Sequence, residues 1–348
     1  MALTVPILGL TAVLAGVIGF AAHRANLCTV GAVKEVLSTR RGYMLMSFCK
    51  TALWVIGATL LGALVLPVDF VAVRGWALSV AVITGGMLFG IGATINGGCA
   101  ISTLTRLGGG NLGMIASLAG FIVGAGAYAV ATTMGLTPAA VEATAVLSTE
   151  GAWRVPVTVA LVLWMVWELV RLVRTSGRST ALSAWRNSVL APHYRLSTAA
   201  LLMGLSNAVL YALIGVWPYT RLFGDLARHT AAGAPPPALI LWLLFAALIA
   251  GIALSAFQGR RFQWQWRPRR RWAAYGMGGL LMGVGAAMIP GGNDVLLLHD
   301  IPSLSPHAIP AFLGIIGGIA LSLTAMRAFG NAIPPTDCSG DMCVPESK

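Results

Sequence analysis

The reading of the fold turns on Gly90-Ile91-Gly92-Ala93-Thr94-Ile95-Asn96-Gly97-Gly98-Cys99 and on a second stretch that resembles it, Gly283-Val284-Gly285-Ala286-Ala287-Met288-Ile289-Pro290-Gly291-Gly292-Asn293. Both are apolar runs spaced by small residues that end in a Gly-Gly turn, and the second carries one inserted residue. Beyond the motif the register holds, with Gly120 and Gly124 matching Gly314 and Gly318 at a constant offset. The chain therefore repeats itself, and the number of membrane spans between the copies decides their relative orientation.

Of the 348 residues 57% are hydrophobic and 10% charged, against about 25% charged in a soluble domain. That composition argues against a soluble enzyme, a nucleic-acid binder and a chain that is one long disordered tail. Stretches of roughly 20 apolar residues, long enough to span a bilayer, lie at about 4–22, 44–66, 74–93, 111–134, 154–172, 198–216, 237–257, 272–289 and 306–328. The pattern predicts an all-α polytopic membrane protein of nine spans. With the N-terminus outside, 19 of the 23 Lys and Arg residues fall on the cytoplasmic side and only Arg74, Arg154, Arg221 and Arg228 outside, the asymmetry that orients membrane proteins. The net charge of +12 thus reports orientation. The run from Arg260 to Arg271, interleaved with Phe262, Trp264 and Trp266, reads as an interface anchor for anionic lipid, and no nucleic-acid partner is expected. Met1 to Phe20 lacks a basic flank, so it reads as a retained first span instead of a signal peptide.

Spans one to four mirror six to nine, with span five as linker. The expected division is a first repeat at 1–135, a linker span with its basic loop at 136–195, a second repeat at 196–330 and a polar cytoplasmic tail at 331–348. One linking span turns the second copy upside down, the architecture of transporters with sites near the midplane. Four segments, about 23–38, 94–107, 217–231 and 290–304, are too broken to span and too apolar for ordinary loops. They read as re-entrant elements, two from each side, because irregular backbone at membrane depth must be buried or line a cavity.

The tips carry the chemistry. In Asn96-Gly97-Gly98-Cys99, the glycines permit a tight turn, and a short helix starting after them would aim free N–H groups at an anion. Cys99 then faces the pathway, and Gly291-Gly292-Asn293 builds the matching tip with Asn293 in its place. A plainer reading is that Gly-Gly merely lets helices approach closely; its recurrence in both halves favours the pathway. Cys28, beside Asn26 and Thr29, is equally readable as pore lining or as a small buried hydrophobe. Cys49 reads as core packing. Asp294 is compatible with proton transfer, with pairing to a pore arginine and with helix capping. His299 and His307 lie near it without further clustered ligands, so neither metal nor cofactor is expected.

Arg24-x-Asn26-Leu27-Cys28-x-x-Gly31-Ala32, followed by Gly97-Gly98-Cys99, resembles the YeeE/YedE sulfur-transport family, whose best-understood members are thiosulfate permeases of bacterial inner membranes. The likeness covers almost the whole chain. It implies an hourglass-shaped permease in which thiols relay thiosulfate through transient S–H···S hydrogen bonds. Cys28 and Cys99 match its first-half pathway cysteines. The third family cysteine is replaced here by Asn293, followed by Asp294, which bears on the substrate. The resemblance also implies a small cytosolic sulfur-carrier protein as partner.

A permease for thiosulfate or a related sulfur anion is the leading expectation. A channel for another small solute, such as a selenium compound, and a scaffolding membrane subunit are alternatives. A membrane thiol oxidoreductase needs two thiols within reach; the absence of a CxxC motif and the wide sequence separation of Cys28 from Cys99 argue against it. The tail Asp337-Cys338-Ser339-Gly340-Asp341-Met342-Cys343 reads as a disordered end with incidental cysteines, ahead of a sulfur hand-off or weak metal site.

Overall fold

The computed structural model describes residues 5–65, 74–146, 151–175, 191, 193–266, 269–330 and 338–343. Thirteen helices are formed by the described residues: α1 Val5–Arg24, α2 Thr29–Thr39, α3 Tyr43–Val65, α4 Val80–Asn96, α5 Ala100–Gly108, α6 Met114–Thr133, α7 Arg154–Thr175, α8 Leu196–Ile214, α9 Tyr219–Ala232, α10 Leu239–Gln258, α11 Arg269–Met288, α12 Asn293–Asp300 and α13 Ala308–Ala328. The last turn of α12, Leu296–Asp300, is a π-helix. Eight segments are long and apolar enough to cross a membrane, or nine when the bent pair α11–α12 counts as one. The all-α polytopic expectation is met.

The expected broken segments correspond to α2, α5, α9 and α12, but their form differs from the expectation. After breaks of three or four residues, α2, α5 and α9 run on from the preceding long helices as the segments Val5–Thr39, Val80–Gly108 and Leu196–Ala232, while α11 and α12 meet at 52°. Three of the four are therefore interrupted spans. A second difference lies at 74–93. Arg74–Trp76 forms strand β1, antiparallel to β2 at Glu142–Thr144, and α4 starts at Val80, where the Ser79 side chain accepts the Val82 N–H.

Backbone contact at small residues organises the bundle, as expected where lipid removes the hydrophobic drive between helices. On α6, a Cβ at Gly120 or Gly124 would lie 2.1 Å from the backbone oxygens of Gly276 and Leu280 in α11. Their sequence counterparts on α13 make the same kind of approach to α4, Gly314 at Ile83 and Gly318 at Met87. Likewise α1 packs on α10 and α3 on α8, while α4 packs on α11. The linker span α7 is the most exposed of the spans. It is tied in by Lys50 Nζ, which bonds Glu168 Oε1 at 2.6 Å and Ser197 Oγ at 2.7 Å.

Two expectations about cysteines fail. Cys49 is exposed, because its helix turns that side away from α8. Cys338 and Cys343 are buried and joined by a disulfide across the hairpin of β3 (Cys338–Ser339) and β4 (Met342–Cys343). The Asp341 side chain accepts from Ser197 N–H and Oγ, and its carbonyl accepts from Leu196 N–H. This stretch is ordered because it caps α8, satisfying orphan donors at a helix start. The remainder of the tail lies outside the described residues.

Candidate functional site

All four helix breaks meet. At the first two, Cys28 and Cys99 are the N-cap residues of α2 and α5, and neither side chain caps its own helix. Cys99 is buried, and its Sγ accepts the Thr29 N–H at 3.3 Å. Through that contact Cys28, the residue before Thr29, is a neighbour of Cys99, with Ser102 close by. Both cysteines are free thiols. At the fourth break, Asn293 Nδ2 donates to Thr29 Oγ1 at 3.0 Å, which joins the second half to the first. From the third break, Thr220 Oγ1 donates to Asp294 Oδ1 at 2.6 Å and accepts the Gly292 N–H at 3.2 Å. The sequence separation of the cysteines is thus not a separation in space, and the argument it offered against thiol redox chemistry lapses.

The local reasons are legible in each turn. Gly97 ends α4 with φ +75, a left-handed conformation that costs any residue with a Cβ. Asn96, wholly buried, donates from Nδ2 to the Gly98 carbonyl at 2.9 Å and to Thr103 Oγ1 at 2.7 Å. It latches the turn from within. In the second half a Cβ on Gly292 would lie 2.6 Å from Thr220, so glycine is needed for the cross-link to α9. Gly98 and Gly291 occupy the same two turns. Asp294 is buried and saturated by Thr220. Asn26 behaves differently: it is exposed, in a left-handed turn at φ 51, and the structure assigns it the turn between α1 and α2. The side-chain oxygens of Asn96 and Asn293 are buried without a partner among the described residues.

Sequence reasoning named Thr29 only as a neighbour of Cys28 and missed Ser102, Tyr219 and Thr220, polar residues of types common in any helix. It also counted Arg106 only as a loop charge. Arg106 Nη1 donates to the Asn96 carbonyl at 3.1 Å and Nη2 to the Tyr275 hydroxyl at 3.2 Å, placing a cation beside the Gly97-Gly98 turn.

Two cavities flank the meeting point. One of about 30 Å³ is lined by Gly19, Ile101, Tyr219, Leu298 and Asp294 among others. Another of about 270 Å³ is lined by Thr220, Arg221, Arg228, Gly291 and Trp76. Arg221 and Arg228 both pair with Asp225. At the opposite end, buried Arg24 donates to Ser255 Oγ at 3.1 Å and to Gln258 Oε1 at 3.1 Å. Beside it Arg261 donates to His193 Nε2 at 2.6 Å. Burial, then Arg261 and Arg24, hold His193 below the ordinary imidazole range, so it stays neutral and can accept. Among the described residues no group of three His, Cys, Asp or Glu could hold a metal ion.

Interrupted spans whose breaks converge on thiols, amides and helix N-termini define a membrane transport protein. The chain belongs to the sulphur transport (YeeE/YedE) family, whose model matches residues 24–321 and so takes in every break. No curated protein matches it.

Proposed function

We propose that the protein admits a small sulfur-containing anion, thiosulfate foremost, across a bacterial inner membrane. The observation that carries the reading is the hydrogen-bonded meeting of four helix breaks around Cys28 and Cys99. Each short helix ends there at its N-terminus, worth about 0.3–1 kcal/mol to a nearby negative charge. Thiols and amides donate weaker hydrogen bonds to the solute than a guanidinium would. That suits conduction, which requires sites an ion can leave. The Asn293 amide contributes too: turned about its terminal torsion, it accepts from Thr29 and presents its N–H groups to the solute.

The helix pairing supports two inverted copies, since α6 on α11 mirrors α13 on α4, and α1 on α10 mirrors α8 on α3. The charge asymmetry supports an N-terminus outside. In that orientation the 270 Å³ cavity with Arg221 and Arg228 is the outer vestibule that gathers anions, and Arg24 with Arg261 stands at the exit. A cytosolic sulfur carrier would receive the product there. The test is uptake of labelled thiosulfate by protein in vesicles, competed with sulfite, sulfate and selenium oxyanions. Saturable uptake blocked best by thiosulfate is expected; preference for another solute would reassign the substrate.

The proximity of Cys28 to Cys99 favours one second reading, a membrane thiol oxidoreductase. Counting free thiols before and after turnover separates the two: transport leaves both reduced.

A further inference from the structure

Beyond the four breaks lies a second buried polar group that the pathway does not use. Asp300 ends the π turn of α12, and the segment 301–307 leads from it to α13. Asp300, Ser305 and His307 are all buried, at 3%, 4% and 0% exposure. His307 Nε2 lies 3.5 Å from Asp300 Oδ2, and its Nδ1 is 2.8 Å from Ser305 Oγ. Ser305 Oγ in turn accepts the N–H of Trp76 in β1 at 3.0 Å. The neighbouring His299 is 1% exposed, its ring tilted against that of Tyr211 with centroids 4.9 Å apart, and neither of its ring nitrogens has a partner among the described residues.

A buried carboxylate beside a neutral imidazole is costly unless it can take up a proton. Here the imidazole contacts a hydroxyl on one side and the carboxylate on the other. A proton arriving at His307 makes a charge-assisted contact to Asp300, and a second neutralises Asp300. The groups facing the pair are His299 on α12, Tyr211 on α8 and the distant positive charge of Arg221 on α9; the β1–β2 hairpin, in contact through Trp76, carries Arg74 and Glu142. α3 and α13 also pack on this turn; residues 54–65 of α3 and 308–312 of α13 contain no titratable group. The π turn is a natural place for such a device, since π bulges gather at functional sites. It is also wired to the pathway: Asn207 Nδ2 donates to the Leu298 carbonyl at 2.6 Å, and Asn207 Oδ1 accepts from Trp217 Nε1 of the third break at 3.0 Å. The same eight-residue helix starts with Asn293 and Asp294.

We propose that Asp300 and His307, with Ser305 holding the imidazole in place, form a proton-binding site that couples inward anion movement to proton uptake. The inference rests on the transport reading above, in whose orientation this cluster lies on the outer side under the β1–β2 hairpin. An anion moving inward works against a potential that is negative inside, and a proton travelling with it removes that opposition. One dianion accompanied by two protons moves no net charge.

The experiment uses the full chain in vesicles holding a trapped pH dye. Thiosulfate added outside should acidify the lumen, while thiosulfate counterflow, which needs no net proton movement, is measured in parallel. Asp300→Asn and His307→Gln should each cut acidification by about tenfold while counterflow stays within about twofold. Counterflow without acidification in the unaltered protein would overturn the coupling alone. Acidification by both variants at the unaltered rate would overturn the assignment to this pair. Absence of counterflow in the unaltered protein would overturn the transport reading, and the coupling with it.

Discussion

The Gly97-Gly98-Cys99 turn and the Gly291-Gly292-Asn293 turn occupy matching places in the two halves of the chain, yet they are secured differently. The first is latched from inside: Asn96 bonds Gly98 and Thr103, and Arg106 braces the Asn96 carbonyl. The second is secured from across, by Thr220 of α9 to Gly292 and Asp294. A self-contained turn leaves its leading side chain, Cys99, beside Cys28 with no task in the turn itself, its Sγ accepting the Thr29 N–H. A turn held by its neighbour commits Thr220 and Asp294 to structure, while Asn293 reaches over to Thr29. The comparison teaches that the first half supplies the thiols and the second supplies the frame that presents them.

The largest effect that sharpens this contrast is Cys99→Ala. It removes the donor at the tip and should reduce sulfur-anion uptake about 10- to 100-fold, the worth of a hydrogen bond to a charged group. Cells dependent on thiosulfate as sole sulfur source read this out directly, and normal growth would end the relay role. Next, Asn96→Ala unlatches the first turn and leaves buried partners unpaired, at a cost of about 1–3 kcal/mol. Thermal unfolding of the purified protein should show the loss, and an unchanged transition would mean the turn is secured elsewhere. The smallest effect is Asn293→Cys, which restores a thiol and gives up the bond to Thr29. Uptake should stay within about threefold of the starting rate or rise. Complete loss would show that the second turn has been rebuilt for another solute.

Much of this was legible in the residues. Apolar length and basic asymmetry are long-range regularities that a single sequence displays, so the nine spans emerge with boundaries near those observed. The Gly-Gly turns were readable because a left-handed residue such as Gly97 and a close approach such as Gly292 both demand glycine. Arg74–Trp76 was misread as helix because it is short and adjoins an apolar run, and its pairing with Glu142–Thr144 is a contact across some 70 residues. Thr220 was invisible for the same reason, and Thr29 was noticed only through its neighbour Cys28: a threonine carries no signal until the chain brings a partner to it. The tail hairpin was missed because its order comes from docking on α8, which local composition does not encode.

The cavity of about 30 Å³ that flanks the meeting point is room for a single water molecule. On the proposed reading the described packing is a stopper: side chains must part before anything larger than water passes this point, and they close again behind it. A cell that stores its energy as a voltage across this bilayer can keep many copies in place without short-circuiting itself.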